Sequence, residues 1–542
     1  VANNSIRRAT ALLASGTLVS RVLGFGRQWM LVLALNGTGI VADAYGTANQ
    51  APNTIYAIIS QGVLNAVLIP QLVRAAKHRD GGQAYINKLV TLGMVVFAVV
   101  TTIGTLLAPQ LMHVLGARSE LATLFAYWLL PQVFFFGLYS LLGEVLNARG
   151  SFGPFTWAPV LNNVISLVML GAFLLIYGTQ PLHQVAPWPV GKVALLAGGS
   201  TFGIMCQALV LFFFWRRVGL SFRFDFVWRG MELRSVGKAA MWTFAMLLCT
   251  QAAGWYQTRI ANTVTGAHRV GPLGLSTLWL IFMLPFSIIA VSIVTAYFTR
   301  MAEHARDDDM DSFRTDYSSA VRAIVLSISI CAAVLIVTAF SFSRVFTAAD
   351  YMPFGYVLIA FIVGLVPSVV GFVSLRALYS LGDTRSPFIY TLIQAMIVAI
   401  GLTICLALPL NTRSVGIALT VSIAGTVQTA LAMVFLRRRL HGLHLDRVFR
   451  AIVQGFVASA LAMIVGTLTL LLVNHWNSSG DFSVATRFTA IVSMCVVGLV
   501  MLAIYLLALR TFRVREFMDI LDGVLARFGV DNRPRARGRH AR

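Results

Sequence analysis

Arg21 and Arg27 stand inside an apolar run that extends from Ala11 to Leu35, well away from its ends. A guanidinium at the centre of a bilayer costs roughly 2.5–3.5 kcal/mol, so such residues must face a bundle interior or a watery cavity. Six positions apart on a helix, the two can line different walls of one cavity, separated by roughly 9 Å along the axis. That spacing suits a large anionic ligand. The alternative is that one or both, Arg27 above all, snorkel to the inner surface or pair with a buried carboxylate.

Few other charges enter the apolar runs. Asp43 lies near the outer start of the second run, Glu144 near the inner end of the fourth, Arg259 within the seventh and Arg376 toward the inner end of the tenth. Arg259 is expected to join Arg21 and Arg27 around a cationic cavity that only anionic cargo would offset. Asp43 could pair with an arginine while that cavity is empty, or be an exposed helix-start residue. Glu144 and Arg376 are expected to be structural, in ion pairs or backbone contacts near inner turns; with Gln28 and Asn53 they are the gate or structural polar candidates. Asp307, Asp308, Asp309 and Asp311 could hold a divalent cation in a prenyl-phosphate enzyme, yet they share one loop with Arg306 and Arg314 and lack a second carboxylate cluster. No zinc-protease, phosphate-loop or nucleophile-elbow pattern appears, so transport leads over catalysis.

The elements that must position these residues are helices in a membrane. Of the 542 residues, 58% are hydrophobic and only 11% charged, and the mean hydropathy is +0.79. Apolar runs of helix length recur between short polar turns, which marks a polytopic all-α membrane protein. About fourteen spans are expected, centred near residues 22, 58, 101, 133, 166, 203, 250, 287, 332, 366, 398, 425, 462 and 497. With the N-terminus in the cytoplasm, 21 basic residues fall in or beside inner loops against 6 outside, termini excluded, and this asymmetry sets the orientation. Both termini are then expected on the cytoplasmic side of the membrane. Topology thus accounts for the net charge of +22, and no nucleic-acid partner is expected. No cleavable signal is evident at the start. Cys206, Cys249, Cys331, Cys405 and Cys495 fall inside spans without ligand spacing and read as packing residues.

An internal repeat organises the runs. Ala51-Pro52-Asn53-Thr54-Ile55-Tyr56-Ala57 resembles Leu284-Pro285-Phe286-Ser287-Ile288-Ile289-Ala290 at an offset of 233, and the same offset carries Ser151–Phe155 onto Thr384–Phe388. Two six-span lobes related by a pseudo-two-fold axis along the membrane normal are expected, 1–222 and 223–440, followed by a helix pair, 441–511, and a tail, 512–542. Under that offset Arg259 falls one residue from the counterpart of Arg27. Pro52, Pro70, Pro131, Pro159, Pro285 and Pro367 lie inside spans, as kinks that serve rocking or only shape the bundle. The stretch 177–192 is a stiff outer connection and 216–238 a basic inner linker. From Arg513, apolar residues at helical spacing and then a basic tail are expected to lie on an anionic inner leaflet, or to dock on another cytoplasmic domain.

At these residues the chain resembles the MurJ/MviN family of lipid II flippases, in the multidrug/oligosaccharidyl-lipid/polysaccharide exporter superfamily. The carriers are Ser20-Arg21-Val22-Leu23-Gly24-Phe25 with Arg27, Ala42-Asp43-Ala44, Ala51-Pro52-Asn53, Gly62 through Pro70, Leu146–Gly153 with Pro159 and Asn162-Asn163, and Tyr379 through Pro387. The resemblance implies fourteen helices, the last two forming a lipid-tail groove. It also implies alternating access and a cargo of undecaprenyl diphosphate-linked peptidoglycan precursor, held by Arg21 and Arg27 with Asp43 as a functional acid. No cofactor is implied; some relatives carry a pseudokinase-type regulatory domain, so a regulator of that kind or of cell-wall synthesis is an expected partner. The chain departs from the family at Gln28, where many relatives have aspartate, and at Tyr56, Ala57 and Gln61. It also departs near Leu280, where an arginine is usual. Gln394 alone stands where some members place sodium ligands, so membrane potential or protons are favoured over sodium. Export of another polyprenyl-linked glycan or of a drug, and a membrane prenyl-phosphate enzyme, are the alternatives.

Overall fold

The computed structural model describes residues 2–60, 82–117, 119–182, 187–227, 238–347, 350–440, 442–443, 445–475, 481–512 and 514. Pro70, the stretch Gly62–Pro70 and the amphipathic segment and basic tail beyond Val514 lie outside the described residues, as do 183–186 of the outer connection and 228–237 of the inner linker.

Every expected span centre falls on or beside a helix, and no strand occurs among the described residues. The first seven helices are α1 (Ala2–Leu35), α2 (Ile40–Ile59), α3 (Gln83–Leu106), α4 (Glu120–Ala148), α5 (Phe152–Tyr177), α6 (Val190–Val218) and α7 (Lys238–Ala261). They are followed by α8 (Pro272–Arg306), α9 (Met310–Val337), α10 (Tyr351–Ser380), α11 (Arg385–Cys405), α12 (Leu410–Arg439), α13 (Leu445–His475) and α14 (Arg487–Thr511). Twelve have the length and apolarity to cross a membrane. Over the described residues α2 and α7 are not among them, and both carry polar side chains within the helix. Asn49, Gln50 and Asn53 interrupt α2, while Gln251, Gln257, Thr258 and Arg259 interrupt α7. Polar side chains at membrane depth must face protein or a cavity rather than lipid.

Prolines set the irregularities. α4 breaks at Leu130-Pro131, and α8 relaxes into a π-turn over Phe286–Ala290 directly after Pro285. Pro cannot donate to the helical ladder and its ring crowds the preceding turn, which frees carbonyls for other partners. In α10 a turn precedes Pro367; the Ala360 carbonyl accepts from the Ser422 hydroxyl at 2.7 Å, and the Pro367 carbonyl accepts from Thr429 at 2.8 Å.

By compactness the chain forms two units. The first comprises residues 1–281, 346–361 and 383–428. In it α5 packs against α1 and α6, α4 against α6 and α2, and α7 against α11. Its core includes Tyr45, Phe125, Phe173 and Trp188, whose rings meet edge-on or stacked. The second unit comprises 282–345, 362–382 and 429–542. There α13 packs between α9 and α14, and the buried Tyr505 hydroxyl of α14 donates to the Leu326 carbonyl of α9 at 2.7 Å. The Tyr317 and Ser374 hydroxyls bond at 2.9 Å, joining α9 to α10.

The aspartate cluster between α8 and α9 is engaged within its own loop. Asp309 caps α9 through the Ser312 amide, Asp307 pairs with Arg306 and Asp311 with Arg314. The bonds from Ser312 hold the Asp309 carboxyl below its ordinary value. No group of three potential ligands that could hold a metal ion occurs among the described residues.

Candidate functional site

α1 presents Arg21, Arg27 and Gln28. Its register against α5 is fixed by Asn163, whose amide donates to the Ser20 carbonyl at 2.8 Å. Arg27 and Gln28 line a hollow of about 30 Å³ with Tyr45 and Asn49 of α2, Ser166 of α5 and Ser200 of α6. That volume holds about one water molecule. Gln28 also donates to the Thr277 hydroxyl of α8 at 2.8 Å, tying the first helix to the eighth. Arg21 is partly exposed. Neither Arg21 nor Arg27 forms an ion pair among the described residues, so the pairing with a buried carboxylate weighed for them is not made.

A second cavity, of about 200 Å³, lies where the polar faces of α2 and α7 meet α8. Gln50, Gln257, Thr258 and Ser276 supply its polar wall and Trp279 and Val421 part of its apolar one. These uncharged residues were absent from a reading built on charges. The signal that could have found them is the set of amides and hydroxyls within α2 and α7. A larger hollow of about 340 Å³ opens beside His268, Arg269 and Asn411 at the α7–α8 connection.

The remaining expected residues are placed as follows. Asp43 is fully buried, at 0% exposure, which overturns its reading as an exposed helix-start residue. No arginine among the described residues pairs with it: the 265–273 segment covers it, with Thr265 and the amides of Gly266 and Leu273 as the neighbouring donors, although neither carboxylate oxygen has a well-formed hydrogen bond there. Gly271 sits directly over the carboxylate, where any Cβ would overlap both oxygens. Arg259 lines neither cavity; its guanidinium donates to the Val114 carbonyl at 3.3 Å and its stem packs on Gly116. Arg259 lies in the last turn of α7, and rotation about the axis turns it away from the wall formed by its neighbours Gln257 and Thr258. Asn53 donates to the Asn49 carbonyl within α2 at 2.8 Å. Glu144 and Arg376 form no ion pair among the described residues. Arg376 instead lies 5.6 Å and 5.3 Å from the ring centres of Phe298 and Phe372, a cation–π contact that an inventory of charges does not reveal.

Three connections close over the end of this unit where α1 finishes. Thr38 donates to Asp350 at 2.5 Å, and the other Asp350 oxygen meets His268 Nδ1 at 2.6 Å. Asn36 donates to the Gln180 carbonyl at 2.7 Å, and Thr47 bonds Asn262 at 3.0 Å. Asp350 is thereby a shared anchor for the α1–α2 and α7–α8 turns.

A family model described as "Lipid II flippase MurJ" matches residues 33–509. A curated protein of Rickettsia prowazekii, named probable lipid II flippase MurJ, is 23% identical over 459 residues, covering 81% of this chain and 85% of its own. One of Haemophilus influenzae with the same name is 25% identical over 451 residues, covering 77% and 83%. Among solved structures, one described as lipid II flippase MurJ in an inward closed conformation superposes with a TM-score of 0.71 at 17% identity, covering 95% of this chain and all of that one. An inward-facing multidrug transporter of the MATE family gives a TM-score of 0.57 at 16% identity over 78% of this chain. The fold is therefore shared with these two solved structures, and the chain belongs to the lipid II flippase MurJ family.

Proposed function

We propose that this protein moves lipid II, the polyprenyl diphosphate-linked peptidoglycan precursor, from the inner to the outer leaflet of the bacterial plasma membrane by alternating access. Arg21 and Arg27 carry the reading. They place two positive charges on one membrane helix with no ion-pair partner among the described residues, and a diphosphate is the cargo chemistry that offsets them. Arg27 meets the diphosphate or its first sugar, and the amides and hydroxyls of Gln50, Gln257, Thr258 and Ser276 bond the glycopeptide head. Arg259 engages the cargo only after leaving the Val114 carbonyl, in a state that opens outward.

In this reading residues 1–222 and 223–440 are the lobes that rock, 441–511 form the lipid-tail groove, and both termini are cytoplasmic. The tail 512–542 meets anionic lipid or a regulator. Membrane potential or protons drive the cycle rather than sodium. The Thr38–Asp350–His268 anchor is the outer closure that must break for release. Export of a different polyprenyl diphosphate glycan would use the same charge chemistry and is the second reading.

The test is rescue of a bacterium depleted of its own lipid II flippase by the wild-type chain. Restored growth, with lipid II reaching the outer leaflet, is expected. Normal membrane insertion without lipid II at the outer face would overturn the assignment.

A further inference from the structure

The hollow of about 340 Å³ beside Arg269 has no part in the transport reading. It lies within the first unit, between the 267–270 turn, the first turns of α10 and the start of α12. Pro353, Val357 and Leu410 give it apolar walls, while His268, Arg269 and Asn411 are polar. Its volume is at the lower end of the range of small-molecule sites, enough for about one or two small residues of a peptide. The turn that carries Arg269 is held on both sides. His268 has a left-handed backbone, φ 62°, which a residue with a Cβ adopts only at a cost. Its ring meets Asp350, the residue before α10, at 2.6 Å, and this contact holds the turn in that shape. One residue beyond Arg269, the Val270 carbonyl accepts from the buried Ser414 hydroxyl of α12 at 2.7 Å. The backbone around Arg269 is thus tied to both helices that supply the rest of the wall.

The other charges around the hollow are committed. Asp350 is shared between His268 and Thr38. Arg413 donates to the carbonyls of Cys405, Leu406 and Leu408 at 3.1, 2.8 and 3.0 Å, and to the Thr263 hydroxyl at 2.8 Å. The Arg269 guanidinium, by contrast, has no carboxylate within 4 Å and no hydrogen bond among the described residues. A guanidinium offers a planar fork that matches the two oxygens of a carboxylate, and Asn411 adds an amide donor. A dianion is less suited: Asp350 is buried behind the His268 ring, at 3% exposure, so a second negative charge finds repulsion and no second cation. A monoanion on a short aliphatic group satisfies the arginine and the apolar walls at once.

We infer that this hollow binds the free carboxylate end of a short aliphatic peptide, with Arg269 on the carboxylate, Asn411 beside it and the side chains against Pro353, Val357 and Leu410. The peptide of the glycopeptide cargo seats there at the end of the molecule where release occurs. That identity of the peptide rests on the transport reading; the carboxylate site does not.

The experiment is calorimetric titration of the full chain in neutral detergent with three probes: N-acetyl-alanylalanine, its C-terminal amide, and inorganic phosphate. The acid is expected to bind saturably and the amide about tenfold more weakly, the scale of a lost charge-assisted bond. Arg269→Gln is expected to weaken the acid by the same factor and to leave the amide unchanged; Arg269→Lys, which keeps the charge but not the fork, is expected to retain part of the affinity. Equal thermal unfolding of the ligand-free variants keeps a folding defect apart, and the comparison of acid with amide needs only the wild-type chain. Equal affinity for acid and amide, or an acid affinity indifferent to Arg269→Gln, would overturn the site. Inorganic phosphate binding as tightly as the acid, with the same dependence on Arg269, would overturn its assignment to a carboxylate. Calorimetry requires no transport, so failure of this chain to rescue lipid II delivery would remove the cargo peptide as the occupant while Arg269-dependent binding of the acid still supported the carboxylate site.

Discussion

Asp43 shows how a single residue constrains the fold around it. A carboxylate removed from water without a counter-charge is costly, and each neighbouring dipole that can approach it matters. Gly271 permits that approach because it has no Cβ; the 265–273 segment could not otherwise lie over the acid. Gly271→Ala is expected to lower stability by about 1–3 kcal/mol through overpacking, measured by thermal unfolding of the purified chain in detergent. Gly254, whose added Cβ meets nothing within 4 Å, is the matched control and is expected to tolerate alanine. The residue-level reading of the sequence reached Asp43 and Arg27 because charge in an apolar run is conspicuous. It could not reach the burial of Asp43, which depends on a segment more than two hundred positions away. Nor could it reach the contact of Arg376 with Phe298 and Phe372, since aromatic residues in a membrane chain carry no positional signal.

At the scale of helices, the pattern of hydropathy was a reliable guide and its exceptions were more informative than its successes. All fourteen expected centres coincide with or adjoin helices, because a twenty-residue apolar run in lipid has only one way to satisfy its backbone. The amides and hydroxyls that α2 and α7 carry meet at the 200 Å³ cavity. Helical rotation was the missing quantity: Gln257, Thr258 and Arg259 are consecutive, yet only the first two line the wall. In the second unit α14 is joined to α9 by the Tyr505 hydroxyl as well as by apolar packing. Tyr505→Phe is expected to cost about 1 kcal/mol, the net worth of one such bond, seen as a lower unfolding midpoint with insertion unchanged.

At the scale of the whole molecule the claim is that a positive site on the first helix recognises a negatively charged lipid headgroup and carries it across the membrane. Family membership accounts for the fold; the chemistry is what the proposal assigns to the arginines. The direct measurement is the amount of lipid II at the outer face of cells depleted of their own flippase and supplied with wild-type, Arg21→Ala, Arg27→Ala or doubly substituted chains at equal membrane levels. The wild-type chain is predicted to restore it. Each single alanine is predicted to reduce transport about tenfold, the scale of a lost charge-assisted bond, and the double variant to abolish it. Outer-face lipid II at the wild-type level in the double variant would contradict the account.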